Sequence, residues 1–209
     1  MLDQMANSLW IDTSGAYCSL GLKVSEYEFV SAEFLQRAHN RKLLNSLDKL
    51  FAQAQIKPRA IDVVGFACGP GSFTGVRMAA SAVQAIAMAA SCKVVPVTTS
   101  RALFESADIH GSILCAIKSR GDAYYLANPN SDHEFHDSCP DWVDGTEQLV
   151  GERPNWWPSD AEVRVVHSDP SILMRYVERE FQNGAAKSPE LALPLYFSGD
   201  SPWKKISER

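Results

Sequence analysis

The chain has 209 residues, 45% of them apolar and 22% charged, the balance of a soluble globular protein long enough to bury one large core or two small ones. A formal charge of −5 excludes a protein that holds nucleic acid alone on a basic stripe, so any contact with RNA has to be lent by another subunit. Five scattered cysteines, odd in number and never spaced CxxC, exclude a disulfide framework, and residues 1–8 lack a basic-then-apolar leader; a reducing compartment, the cytoplasm, is expected.

In chain order, residues 9–12, 17–24 and 27–34 read as three strands of an antiparallel meander, the first turn being Thr13-Ser14-Gly15. Leu43, Leu44, Leu47, Leu50, Phe51 and Ala54 then recur at helical spacing. Arg41, Lys42, Asn45, Asp48, Lys49 and Gln53 lie opposite, so this is an amphipathic helix ended before Pro58. Residues 61–67 are an apolar run that reads as a buried strand, 78–90 a helix and 93–97 a further strand. Thr98-Thr99-Ser100 offers caps for a short helix through 107. Beyond it, 112–118 and 123–127 read as a hairpin turning at Arg120-Gly121-Asp122. Residues 128–160, rich in Asp, Pro, Asn and Trp, read as loop with room for short elements. A strand over 162–167, a helix over 172–181 and an extended piece over 195–197 complete the chain.

Between the strand at 61–67 and the helix at 78–90 stands Cys68-Gly69-Pro70-Gly71-Ser72-Phe73-Thr74-Gly75-Val76-Arg77-Met78. A glycine-rich turn that opens a helix aims unpaired N–H groups outward, where the helix dipole favours negative charge. Gly69 and Gly71 supply φ values that other residues avoid, and Pro70 stiffens the turn. Two readings stand: a phosphate cradle formed by Gly69, Gly71 and Ser72, or a tight connection that binds nothing. The helix that follows is apolar on every side. Only Ser81 and Gln84 are polar over 78–90, and seven of these thirteen residues are alanine. The run is too short and too rich in alanine for a membrane span. It is either a central core helix or one that packs on its own sheet with one face and on a partner protein with the other. Arg77 meets an anion or a partner carboxylate, or makes an ordinary surface ion pair.

His133 and His136 sit in a polar loop without an apolar shell and read as solvent residues, so no metal site is expected. The chain shows no G-x-S-x-G elbow and no Walker lysine, and Ser72 has no base nearby in sequence. No catalytic residue is expected.

The order of elements resembles the actin-like ATPase and sugar-kinase (ASKHA) architecture, an α/β fold whose two lobes face each other across a nucleotide cleft. On that likeness 1–108 form a complete first lobe and 109–209 a smaller, truncated second one, which leaves a nucleotide weakly enclosed. In kinases of this architecture an Asp placed like Asp12 helps hold a metal-bound phosphate, with hairpin groups like those of Thr13 and Ser14 touching the phosphates. The same triplet also makes routine turns.

Leu9-Trp10-Ile11-Asp12-Thr13-Ser14, the segment 39–50 and above all the nine residues from Gly69 to Arg77 resemble the bacterial TsaB (YeaZ) family. Arg120-Gly121-Asp122-Ala123-Tyr124, Pro194-Leu195-Tyr196 and Trp203-Lys204-Lys205 support the likeness. It implies a non-catalytic subunit that binds and activates a TsaD-like threonylcarbamoyl transferase in tRNA threonylcarbamoyladenosine modification. It also implies a TsaE-like ATPase acting on the pair, with tRNA met only indirectly; no membrane contact is expected, and a homodimer is expected when the chain is alone, because a large exposed apolar patch seldom stays uncovered. The family's paired helices fall on 39–54 and 72–91. They place Leu43, Leu47, Arg77, Met78, Ser81, Ala82, Ala85, Met88 and Ala89 at the partner interface. No cofactor is implied to be tightly bound, and ATP or ADP at the subunit interface is the nucleotide that the family leaves room for. Ile117 and Lys118 stand where the family usually has an Asp, and Ser198 where an Arg is common, departures that weaken nucleotide–metal binding by this chain alone. The alternatives are an M22-type metallopeptidase or small-molecule kinase of the same fold, and a stand-alone tRNA-binding module. The missing histidine pair weighs against the peptidase and the acidic charge against the tRNA module.

Overall fold

Two strands, β1 (Ser8–Asp12) and β4 (Val63–Gly69), are buried along their whole length, which is why they read as unbroken runs of apolar and small residues. The computed structural model describes residues 6–35, 39–107, 109, 111–131, 133–158, 160, 162–165 and 167–196. β2 (Tyr17–Val24) pairs antiparallel with β1, setting Leu22 opposite Leu9 and Leu20 opposite Ile11. β3 (Tyr27–Phe34) continues the meander to an exposed edge. β4 runs parallel to β1 and β5 (Lys93–Thr98) parallel to β4, so the order is β3-β2-β1-β4-β5.

Helices cover both faces of this sheet. On one, α1 (His39–Ala54) and α2 (Phe73–Ala90) bring Leu43, Leu47, Leu50, Ala79 and Val83 into a cluster with Ile11, Leu20 and Phe66. On the other, α3 (Thr99–Ser106) and α4 (Pro170–Gln182) contribute Ala102, Leu173, Met174 and Val177, packed with Trp10, Val63 and Val97. Each fully buried Leu, Val or Met of this kind stabilises by about 1.5–3 kcal/mol. α4 starts two residues earlier than its apolar spacing suggests. Asp169 caps it, accepting from the Ser171 and Ile172 N–H groups at 2.9 and 3.4 Å, and Pro170 takes the first helical position.

The second sheet comprises β6 (Ile113–Lys118), β7 (Tyr124–Ala127), β8 (Glu134–His136), β9 (Gln148–Gly151) and β10 (Val163–Val165), in the order β8-β7-β6-β9-β10. β8 and β9 arise within the segment read as loop; at three and four residues they are too short to show a period. β10 is likewise shorter than the expected 162–167. Counted from its own first strand, each sheet reads third, second, first, fourth, fifth, with an antiparallel meander followed by two parallel additions. The halves therefore repeat one topology.

What truncates the second half is the loss of two helices. α1 and α2 connect β3 to β4 and β4 to β5, whereas among the described residues 137–147 and 152–162 are irregular. Val143 and Trp157 from those stretches cover Leu114, Leu126 and Leu149 in their stead. The other face packs Leu103 of α3 against Cys115, Ile117 and Val150. The sheets change across residues 107–112, where the lobe boundary is expected, but residues 167–196 lie on the first sheet. α4 packs there, Val94 and Lys187 exchange backbone hydrogen bonds of 2.9 and 2.7 Å, and the Leu195 N–H donates to the Cys68 carbonyl at 2.7 Å. Without α4, α3 alone would cover the face opposite α1 and α2, and Trp10 of β1 would lose Leu173, Met174 and Val177. Phe197, Ser198 and Trp203-Lys204-Lys205 lie outside the described residues.

Candidate functional site

Two surfaces collect the residues singled out in the sequence: a cleft between the sheets, and the outer side of α2. The cleft is a cavity of about 580 Å³ bounded by the ends of β1, β6 and β9 and by α3, with Asp12, Ser14, Ser72, Thr99, Lys118 and Glu152 among its lining. One wall is aromatic: the Tyr17 ring lies 5.2 Å from Phe34 and 4.5 Å from His167. Partial desolvation in the cleft raises the Glu152 carboxyl above its ordinary value, with Lys118 opposing the shift.

At the floor, Asp12 accepts three hydrogen bonds from its own chain. Its Oδ1 accepts from the Ser14 N–H and hydroxyl at 2.8 and 2.7 Å, and its Oδ2 accepts from the Ser168 hydroxyl at 2.6 Å. Ser168 Oγ in turn accepts from Trp10 Nε1–H at 3.3 Å. Asp12 thus clasps the end of β1 to the residues that open α4. Thr13 Oγ1 donates to the Gly75 carbonyl at 2.7 Å, and the Ser72 N–H donates to the Ser14 carbonyl at 2.6 Å.

These contacts favour the second reading of the glycine turn, a tight connection held by its own chain. A Cβ on Gly71, whose φ is +153°, would meet the Ser14 carbonyl, and one on Gly75 would meet the Thr13 carbonyl. Gly69 (φ +114°) lies against the Leu195 carbonyl, 3.1 Å from where a Cβ would stand. The space that glycine keeps open is filled by this chain's backbone. Ser72 caps α2, its Oγ accepting from the Gly75 N–H at 3.2 Å. Around the cleft both Asp12 oxygens accept hydrogen bonds from this chain, and among the described residues no three His, Cys, Asp or Glu side chains converge. His136 is occupied by Glu134 at 3.2 Å and by the Trp142 ring at 5.9 Å.

α2 has two unlike faces. Gly75, Val76, Ala79, Ala80, Val83 and Ala87 are buried against the sheet, while Phe73, Arg77, Ser81, Ala85, Met88 and Ala89 are exposed. By length and mean hydropathy this 18-residue helix reaches the membrane-spanning range, longer than its alanine run suggested, yet its inner face is a core face. No charge faces outward except that of Arg77. Together α1 and α2 form a groove of about 560 Å³, with Leu44, Met78, Ser81, Ala82 and Ala85 in its walls.

Two expected interface residues are corrected here. Leu43 and Leu47 are 3% and 4% exposed and belong to the core, Leu43 reaching only the floor of the groove. Leu44, 67% exposed, takes the outward place that sequence reasoning had counted with the core row. The available signal was its position one residue, about 100°, round from Leu43, among the polar side chains of α1. Met78 and Ala82 are half-buried, and Met88 is 64% exposed.

The family model described as TsaD, tRNA N6-adenosine threonylcarbamoyltransferase, matches residues 24–166. The tRNA threonylcarbamoyladenosine biosynthesis protein TsaB of Haemophilus influenzae is 31% identical over 229 residues, covering 96% of this chain and 97% of that protein. The protein of the same name from Escherichia coli is 26% identical over 224 residues, with 95% and 97% covered. Among solved structures, YeaZ from Pseudomonas aeruginosa superposes with a TM-score of 0.75 at 22% identity, over 92% of this chain and all of that one. Sequence likeness over nearly the full length and the duplicated two-sheet fold therefore agree: the chain belongs to the TsaB (YeaZ) family.

Proposed function

We propose that this chain is an accessory subunit of tRNA threonylcarbamoyladenosine biosynthesis, which docks a TsaD-like catalytic paralogue on the outer side of α2 and supplies no catalytic group itself. The relatives' names support the pathway, and the match to the TsaD family model supports a partner built on the same duplicated fold. The observation that carries the docking site is the exposed row Phe73, Ser81, Ala85 and Met88 on a helix whose other side is already core. Small side chains let a second helix approach closely, and a continuous apolar patch of this kind seldom stays uncovered. The hydrogen bonds that tie Asp12 to its own chain and the filled glycine turn favour a scaffold over a kinase or peptidase.

In this reading the chain alone self-associates through the same face, a TsaE-like ATPase acts on the assembled pair, tRNA is met through the partner, and the complex works in the cytoplasm. Co-purification with a TsaD-like paralogue tests it. Ala85→Glu and Ala82→Arg each place a charge in the groove and are expected to abolish co-elution while leaving the melting temperature of the isolated chain nearly unchanged. Co-elution of both variants at full stoichiometry would place the interface elsewhere.

A further inference from the structure

We infer that the docking face of α2 is completed by a strap at Leu195 and Tyr196, and that the partner sets a carboxylate against Arg77. This rests on the reading of α2 as the paralogue-facing helix and names the chemistry of what meets it.

Arg77 is the one charged side chain of α2. Its guanidinium carbon lies 3.5 Å from the centroid of the Phe73 ring and 5.4 Å from that of Tyr196. Its Nε–H donates to the Tyr196 hydroxyl at 2.7 Å. The two terminal nitrogens have no acceptor among the described residues, and no carboxylate there stands within ion-pair distance of them. Tyr196 is held in turn, because the neighbouring Leu195 N–H bonds to the end of β4 at Cys68. Strap, glycine turn and first turns of α2 thus form one unit, and the guanidinium is aimed before any partner arrives.

An exposed ion pair gains little mainly because two long side chains have to be ordered and desolvated to make it. Here one of the two is already ordered between rings that strip part of its hydration. On the groove side the surface is apolar or small, with Leu44, Met78, Ala82 and Ala85, and on the strap side Lys118 and Arg120 line a hollow with Phe73 and Tyr196, adding positive charge beside Arg77. A wholly apolar helix seated there would bury the cation unpaired, which is costly, and a basic one would be repelled. A helix with one Asp or Glu in its apolar row satisfies both the groove and Arg77. Arg77 is then a contact residue, and Tyr196 a positioning residue acting through it.

The test is the affinity for the TsaD-like paralogue, measured by calorimetry from about 50 to about 500 mM NaCl, a range that screens exposed charges. Arg77→Met should lose about 10-fold at low salt and flatten the salt dependence, and Arg77→Glu about 100-fold. Arg77→Lys should keep the salt dependence with part of the affinity. Tyr196→Phe, which retains the ring, should lose about 3–10-fold with a nearly unchanged melting temperature, the size of an ordinary net hydrogen bond at an exposed site. A compensating Asp or Glu to Lys change in the paralogue should restore binding to Arg77→Glu. If Arg77→Glu binds within about twofold of the parent chain while Ala85→Glu abolishes binding, α2 docks but no acid meets Arg77, and this inference falls alone. If neither substitution matters, the docking reading falls with it.

Discussion

Gly75→Ala sets helix propensity against tertiary packing, and the structure says which wins. In an isolated helix alanine is favoured over glycine by roughly 1 kcal/mol. In the folded chain a methyl at position 75 would run into the Thr13 carbonyl, a backbone atom in a turn already tied to α2 by the 2.7 Å bond from Thr13 Oγ1 to the Gly75 carbonyl. Overpacking against a fixed backbone costs about 1–3 kcal/mol. Weakening that buried hydrogen bond adds about 1 kcal/mol. After the propensity gain, the net expectation is a loss of about 2 kcal/mol. At about 2–4 °C per kcal/mol for a chain of this size, the melting temperature should fall by about 4–8 °C. Differential scanning calorimetry reads this directly, with Gly15→Ala as the control: nothing stands within 4 Å of its Cβ, so its transition should not move. A rise in melting temperature for Gly75→Ala would mean that the first turn does not press on α2, and the account of the glycine turn would fail.

Three further outcomes follow from the same geometry. Ser168→Ala leaves Asp12 Oδ2 and Trp10 Nε1 without their partner and should cost about 2–3 kcal/mol, seen as a lower urea midpoint with an unchanged m-value; an unaltered midpoint would deny the clasp. Burial pushes the Cys68 and Cys92 thiols up to about 11, and burial, then the charges of Asp12 and Glu33, push Cys18 up to about 12. An unfolded thiol ionises near pH ~8.5, so above that pH the native state binds more protons than the unfolded one. Stability from these groups is therefore complete below about pH 8.5 and is lost as pH rises through about 11 to 12. Melting scans should show this decline, less steep in Cys18→Ala, and native-state alkylation at neutral pH should favour the partly exposed Cys139 over the four buried thiols. Millimolar Mg·ATP should stabilise the isolated chain by no more than about 0.4 kcal/mol, the linkage expected when Kd exceeds the ligand concentration; a melting shift several times larger would show that the cleft accepts the metal–nucleotide after all.

Much of the fold was legible before any coordinates, because the first five strands and first three helices carry local signals. The fully buried β1 and β4 are unbroken runs, α1 repeats at helical spacing, and α2 could be seen to need cover on both sides from its own composition. The second sheet was less readable, since strands of three and four residues hold too few positions for a period.

What sequence alone determined, then, is that α2 has an outer face with almost no charge. Three things were decided only by tertiary structure. Which leucine of α1 looks outward depends on where the sheet lies, since neighbours about 100° apart can share a stripe or straddle its edge. What fills the glycine turn depends on a contact across some sixty residues of chain: Thr13 and Ser14 arrive from β1 and set their carbonyls against Gly75 and Gly71. The fate of Asp12 depends on Ser168, 156 residues away, which reaches it because α4 returns to the first sheet. A carboxylate in a string of letters has no partners. Folding supplied them from within the chain, and made Asp12 a clasp between the end of β1 and the start of α4.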